Sequence, residues 1–214
     1  MERSFLVRGI LTLIGGFCLQ LYVGSQYIWG NVEKYVTSYF RSYDSSVDSE
    51  LTYVVLPVLV FVGTACMPLG AYLCRNYHPR VGILIAAVIG TGSTFAASFL
   101  TNFWAFLVVF GGGYGVAGGI IYMIPIVAGW EYFPNRKGMV SGVIISGFSC
   151  AGLIFNQIST ALANPTNASP IDDYYGKEVY ERVPRMLRIL TLCWAALLAT
   201  GFILITKAPV NAAV

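Results

Sequence analysis

The sequence predicts an all-α membrane protein with six transmembrane helices, and three observations carry that prediction. Of the 214 residues, 57% are hydrophobic and only 11% charged, and the mean hydropathy is +0.69; this balance suits lipid, not water, as the surrounding solvent. Six apolar segments, each near the ~20 residues that a ~30 Å hydrocarbon core requires, have no charged residue near their centres. Aromatic residues gather at segment ends, where headgroups favour them: Trp29, Tyr35, Tyr39 and Phe40; Phe103 and Trp104; Trp130, Tyr132 and Phe133.

The spans are expected at about 9–29, 51–73, 81–100, 103–128, 139–159 and 186–206, within one six-helix domain covering residues 1–214. Two polar stretches, 30–50 and 160–185, read as loops on one side of the membrane. The other side gathers Arg3, Arg8, Arg75, Arg80, Arg136, Lys137 and Lys207 against two acids, Glu2 and Glu131. Positive charge marks the side from which a membrane protein inserts, so this side, with both termini, is expected to face the cytoplasm or the matrix. The opposite loops carry six basic and eight acidic residues. The N-terminal decapeptide is expected to remain as the start of the first span, since no small-residue cleavage site follows it.

Composition also excludes functions. The net charge of +3 is scattered, and no Lys/Arg stripe could displace phosphate counterions, so nucleic acid is not an expected partner. Cys18, Cys66, Cys74, Cys150 and Cys193 lie in or beside apolar runs and read as packing residues, not disulfides or a metal site. No cofactor is called for. The single histidine, His78, sits beside Pro79 in a linker, too far from any spanning serine to act as its base, so an intramembrane protease is not expected. The run Gly111 to Gly119 lacks the Lys and Ser/Thr of a phosphate loop. With no Asp, Glu, Lys or His assigned to the hydrocarbon core, a buried-carboxylate proton relay has no candidate, and Arg188 can snorkel to the interface.

Packing signals are stronger. Apolar surface does not drive helices together in lipid, so close approach depends on small residues. Gly111, Gly115 and Gly119 recur at i, i+4 and i+8 in the fourth span, and Gly138, Gly142, Ser146 and Cys150 continue the theme in the fifth. Either a sliding surface or a static crossing would use them. The first span shows a polar row, Gly16, Gln20, Gly24, Tyr27 and Asn31, spaced by three or four and so expected on one helix side. With Tyr122 and Asn156 these are the candidates for a solute path; interhelical hydrogen bonding would use the same residues.

One segment is more specific. Gly129-Trp130-Glu131-Tyr132-Phe133-Pro134-Asn135-Arg136-Lys137-Gly138, followed by Ser141-Gly142 and Ser146-Gly147-Phe148, resembles the linker between the fourth and fifth helices of the major facilitator superfamily. The monocarboxylate transporters and oxalate/formate antiporters look closest. Tyr27-Ile28-Trp29-Gly30, the glycine-rich fourth span leading to Tyr122 and Pro125, and the Pro79-Arg80 pair agree with it. The family's glycine-acid-arginine-glycine latch between helices two and three is absent, since Gly70 is followed by Cys74, Arg75, Asn76, Tyr77 and His78 without an acid.

The resemblance implies twelve helices in two halves, each an inverted three-plus-three repeat, with the substrate between them. These 214 residues correspond to the N-terminal half. The family's cationic substrate ligands fall in the other half, leaving Tyr27, Asn31 and Tyr122 as this half's candidates. Two functions follow as expectations. One is a transporter-derived structural or accessory subunit, packed in a larger membrane complex and without transport of its own. The alternative is a half-size carrier of a small monocarboxylate or related anion, working as a homodimer or with a separate second half. A mitochondrial inner membrane is expected ahead of the plasma membrane.

Overall fold

The computed structural model describes residues 2–209. Met1 and residues 210–214, which the expected domain includes, lie outside the described residues. The chain is all-α, and six helical stretches are long and apolar enough to cross a membrane: Arg3–Arg41, Ser49–Asn76, Pro79–Ala97, Phe103–Tyr132, Pro134–Ala163 and Lys177–Leu204. The expected core of every span lies inside one of these stretches. The ends differ most in the first.

The first span is two helices joined by one tight turn: α1 (Glu2–Gly24), a 3₁₀ segment (Ser25–Ile28), and α2 (Trp29–Arg41). The polar stretch at 30–50 is therefore not wholly a loop. α2 persists because Val32, Tyr35, Val36, Tyr39 and Phe40 form a buried apolar face at helical spacing. Phe40 packs 5.8 Å from Phe103 and 5.0 Å from Phe106, and Trp29 lies 6.2 Å from Phe106 between ring centroids. Within this helix Glu33 is only 2% exposed. Its carboxylate accepts from the hydroxyls of Thr37 (3.0 Å) and Thr52 (2.7 Å), tying α2 to the short helix α3 (Ser49–Thr52). A buried carboxylate thus stands in a helix where the sequence reading has a polar loop.

The second and third spans follow as α4 (Val55–Asn76) and α5 (Pro79–Ala97). Pro79 suits the first turn of α5, where its missing N–H is not needed, and the His78 ring accepts the Arg80 N–H at 3.2 Å. The fourth span starts with α6 (Phe103–Phe106), capped by Asn102, passes through a π turn (Leu107–Gly112), and continues as α7 (Gly113–Tyr132) with Pro125 inside it. α8 (Lys137–Ala163) is the fifth span. After the one-turn α9 (Lys177–Tyr180), α10 (Val183–Leu204) is the sixth.

The first and fourth spans form the centre: half of the first span's most apolar window and 61% of the fourth's is buried, against 22% to 33% elsewhere. α7 packs on α4 and α5; α1 packs on α8 and α10; α1 meets α7, and α5 meets α10. Exchanging spans one, two and three for four, five and six maps this set of pairings onto itself. Because successive spans alternate in direction, a shift by three inverts them, so the pairing pattern is that of an inverted repeat.

Both equivalent crossings, four on two and one on five, are glycine-built. A Cβ at Gly119 would strike the Gly63 carbonyl, and one at Gly70 the Ile120 carbonyl; a Cβ at Gly147 would strike the Phe17 carbonyl, and one at Gly24 the Phe148 carbonyl. At the basic end two cationic side chains cap the C-termini of α10 and α4. Arg80 donates to the carbonyls of Ile203 (2.8 Å) and Ile205 (3.1 Å) at the end of α10, while the Lys207 ammonium lies 3.4 Å from the carbonyls of Arg75 and Tyr77 at the end of α4. Cations at helix C-termini are favourable, as the unpaired carbonyls carry partial negative charge.

Candidate functional site

The first, second, fourth and fifth spans leave a cavity of about 310 Å³ between them. Its wall includes Gln26 and Tyr27 from the 3₁₀ turn, Thr64 and Met67 from α4, Gly118 and Tyr122 from α7, and Phe148 from α8. Phe148 stands edge-on to Tyr27 at 5.4 Å and to Tyr122 at 6.1 Å, so three rings from three spans form one aromatic wall. Tyr27 is 51% exposed. Among the described residues, the side chains of Gln26, Tyr27, Thr64 and Tyr122 have no intramolecular hydrogen-bond partner, although other polar side chains in the spans do (for example Ser25, Thr91 and Thr94). No ionised side chain lines this cavity among the described residues.

The structure divides the five sequence-derived candidates. Tyr27 and Tyr122 meet at the cavity. Gln20 is fully buried, and its amide donates to the Tyr122 carbonyl at 3.0 Å. That carbonyl lies in the turn before Pro125, which itself has no N–H to give the helix ladder. Gly16 lets α1 come this close, since a Cβ there would lie 2.9 Å from the Pro125 ring. Gln20 therefore ties α1 to α7 and does not line the cavity. Asn31 and Asn156 are elsewhere: the Asn31 amide donates to the Thr160 hydroxyl at 2.7 Å and reaches the Asn156 carbonyl at 3.5 Å, joining α2 to α8.

The expected single row along the first span fails for a geometric reason. A 3₁₀ turn advances about 120° per residue where an α-helix advances about 100°, so the four residues Ser25–Ile28 turn the face of α2 by about 80° relative to α1. Ser25 and Tyr114 hold this turn, with their hydroxyls 2.7 Å apart and both donating to the Tyr22 carbonyl.

The packing candidates also divide. Gly115 and Gly119 sit in the crossing with α4, the former with the Leu59 carbonyl 2.8 Å from where its Cβ would be; Gly111 has ordinary contact with Val58 at 3.5 Å. Gly142 and Ser146 do not pack within this chain. Gly142 would meet nothing within 4 Å and Ser146 is exposed. The buried face of α8 is instead Val140, Ile144, Gly147, Ala151 and Phe155, three to four residues apart on the opposite side.

The linker of residues 130–138 folds at the basic end. The Trp130 indole donates to the Lys137 carbonyl (3.2 Å) and the Ser141 hydroxyl (3.0 Å), and the Lys137 ammonium lies 5.9 Å above the Trp130 ring. Phe133 fills the space over Gly9, and Tyr132 shares a 2.6 Å hydrogen bond with Thr206. Pro134–Arg136 form a 3₁₀ turn, and Gly138 has nothing within 4 Å of a Cβ. The linker thus fastens the fourth span to both the start of the first and the end of the sixth.

Sequence reasoning missed Gln26, Thr64, Met67 and Gly118 as parts of the cavity. Gln26 lies between Ser25 and Tyr27, but α-helical spacing put it off the polar row, and the 3₁₀ turn brought it in. Thr64 and Met67 lie three apart in an apolar run and carry no distinctive signal.

Six spans in an all-α bundle, with an uncharged, mainly apolar cavity carrying a few polar side chains among four of them, define a multi-pass membrane protein in contact with the lipid bilayer. The chain is related to membrane transporters. It is similar to the apicoplast pyruvate carrier 1 of Toxoplasma gondii, 29% identical over 90% of this chain and 44% of that protein. It is also similar to the agnestins efflux protein AgnL12 of Paecilomyces divaricatus, 25% identical over 74% of this chain and 38% of the relative, and to the monocarboxylate transporter 12 of Xenopus laevis, 27% identical over 38% of this chain and 18% of the relative. The chain spans less than half the length of these curated relatives. No family model matches.

Proposed function

We propose that this chain forms one six-helix half of a small-monocarboxylate carrier of the major facilitator type, and that it acts with a second six-helix body, whether part of the same polypeptide, another chain or another copy. The observation that carries this reading is the convergence of Gln26, Tyr27, Thr64 and Tyr122, all without internal partners, on one cavity. Unsatisfied hydrogen-bonding groups around a concavity are the usual means of orienting a polar solute. The self-mapping pairing of the six spans supports the three-plus-three inverted repeat, and the pyruvate carrier and monocarboxylate transporter among the relatives support the substrate class.

The wall is neutral, so a carboxylate here needs its charge balanced by the second body. The exposed row Gly138, Gly142 and Ser146 on the fifth span would let a helix of that body approach closely. The apicoplast relative supports an organellar membrane over the plasma membrane. The basic end, with Arg80 and Lys137, then faces the compartment from which the protein inserts.

The test is uptake of labelled pyruvate into proteoliposomes holding the protein together with whatever six-helix partner co-purifies in mild detergent. Saturable uptake is expected, and the double substitution Tyr27→Phe with Tyr122→Phe should lower it at least about 10-fold, since losing even one hydrogen bond to a charged group costs about 1.5–3 kcal/mol. Uptake indifferent to both substitutions would refute the site. The neutral wall also favours a second reading, an accessory subunit with no transport of its own. That reading expects co-purification with a large multisubunit complex and no pyruvate uptake under any reconstitution.

A further inference from the structure

Four glycines line the cavity, Gly63, Gly115, Gly118 and Gly119, and two of them are required by the crossing of α4 and α7. A Cβ at Gly115 would lie 2.8 Å from the Leu59 carbonyl and one at Gly119 would strike the Gly63 carbonyl, whereas one at Gly63 would be in ordinary contact, 3.4 Å from the Gly115 carbonyl. Gly118 is freer still: a Cβ there would meet only Val23 Cγ1, at 3.9 Å. The backbone at Gly118 is helical, so any L-residue could adopt it. No backbone atom demands a glycine at this position, and atoms added there would enter the gap between the first and fourth spans beside Val23.

We propose that Gly118 sets the upper size limit of the substrate, by leaving open the part of the cavity that holds the alkyl body of a short aliphatic 2-oxo or 2-hydroxy monocarboxylic acid. The proposal rests on the reading of this cavity as a transport site. The polar end of such an acid is met by the hydroxyls of Tyr27 and Tyr122 and the amide of Gln26, whereas the side chain nearest Gly118 is the apolar Val23, and Leu59 and Val60 add apolar surface to the same cavity. Side-chain volume at position 118 therefore competes with the acid's carbon chain and leaves its carboxylate contacts untouched.

The experiment compares uptake of pyruvate with uptake of its larger branched homologue 4-methyl-2-oxopentanoate, using the co-purified assembly in proteoliposomes. Gly118→Ala should lower the ratio of 4-methyl-2-oxopentanoate to pyruvate uptake at least fivefold, and Gly118→Leu should lower uptake of both at least tenfold. Each variant is checked for an unchanged melting temperature within a few degrees. An unchanged ratio in Gly118→Ala, or undiminished pyruvate uptake in Gly118→Leu, overturns the proposal while leaving the transport reading intact. Absence of uptake by the unsubstituted protein overturns both.

A measurement that needs no transport accompanies it: Gly118→Cys is treated with methyl methanethiosulfonate and with a bulky aromatic thiosulfonate, and modification is located by peptide mass spectrometry. Rapid reaction with the small reagent and at least tenfold slower reaction with the bulky one is expected of an open but confined position. A thiol at 118 unreactive toward both would show the position to be walled over and would refute the proposal.

Discussion

Two adjacent glycines offer a test in which most confounding effects cancel. Gly118→Ala and Gly119→Ala add the same methyl group to neighbouring residues of the same helix, so the gain in helix propensity, about 1 kcal/mol over glycine, is common to both. Only the second methyl is obstructed. At Gly119 it would lie 2.8 Å from the Cys66 Cβ and closer still to the Gly63 carbonyl, and contact becomes ordinary only from 3.4 Å outward. α4 and α7 must therefore part by about an ångström where they cross. Overpacking of this kind costs about 1–3 kcal/mol, so Gly118→Ala should be neutral or slightly stabilising and Gly119→Ala about 1–3 kcal/mol less stable than it. At 2–4 °C per kcal/mol for a chain of this length, the melting temperatures should differ by roughly 2 to 12 °C. Intrinsic-fluorescence melting in one detergent reads this directly, and Gly147→Ala, which would meet the Phe17 carbonyl at the equivalent crossing, should behave like Gly119→Ala. Equal melting temperatures for the two neighbours would refute the claim that Gly119 is required by close backbone approach.

Three further outcomes follow from contacts outside the cavity. Glu33→Ala removes the acceptor for Thr37 and Thr52 and should cost about 2–4 kcal/mol, whereas Glu33→Gln keeps a carbonyl in place and should cost about 1 kcal/mol or less; hydrogen exchange across residues 29–41 will show whether α2 loosens in the first and not the second. Arg80→Gln shortens the side chain that reaches the Ile203 and Ile205 carbonyls, and should speed amide exchange in the last turn of α10 with a global cost near 1 kcal/mol; unchanged exchange there would show that water replaces the guanidinium fully. Burial, then the nearby Arg80 and Lys207 charges, hold His78 below the usual histidine range. The unfolded chain therefore binds that proton more tightly, so the contribution is fully present above about pH 6.5 and is lost as pH falls through the lowered value. His78 is the sole histidine, and His78→Asn, which preserves a capping acceptor, should flatten the stability profile below about pH 6.5.

The core of every span was legible because a run of twenty apolar residues has few physical alternatives to crossing a bilayer. The continuation of the first span was hidden by the polar exposed side of α2; its buried face, Val32, Tyr35, Val36, Tyr39 and Phe40, is periodic, but charged neighbours such as Lys34 and Arg41 lower the average below that of a spanning segment. Tyr27 and Tyr122 were found by depth and residue type. Asn31 was misplaced because a 3₁₀ turn leaves no mark on local composition. Gly142 and Ser146 show a different limit: a row of small residues tells that a helix can be approached closely, but not whether the approaching helix belongs to the same bundle.

The four-residue turn between α1 and α2 has a mechanical corollary. A 3₁₀ residue rises about 2.0 Å and an α-helical one about 1.5 Å, so rewinding Ser25–Ile28 as α-helix would draw α2 toward the bundle by about 2 Å, with no need to move the rest of α1. Gln26 and Tyr27 lie on that turn, so the length of the first span and the aim of two cavity side chains are one variable. Anything that holds those two side chains also sets how far the outer helix stands from the glycine-locked centre.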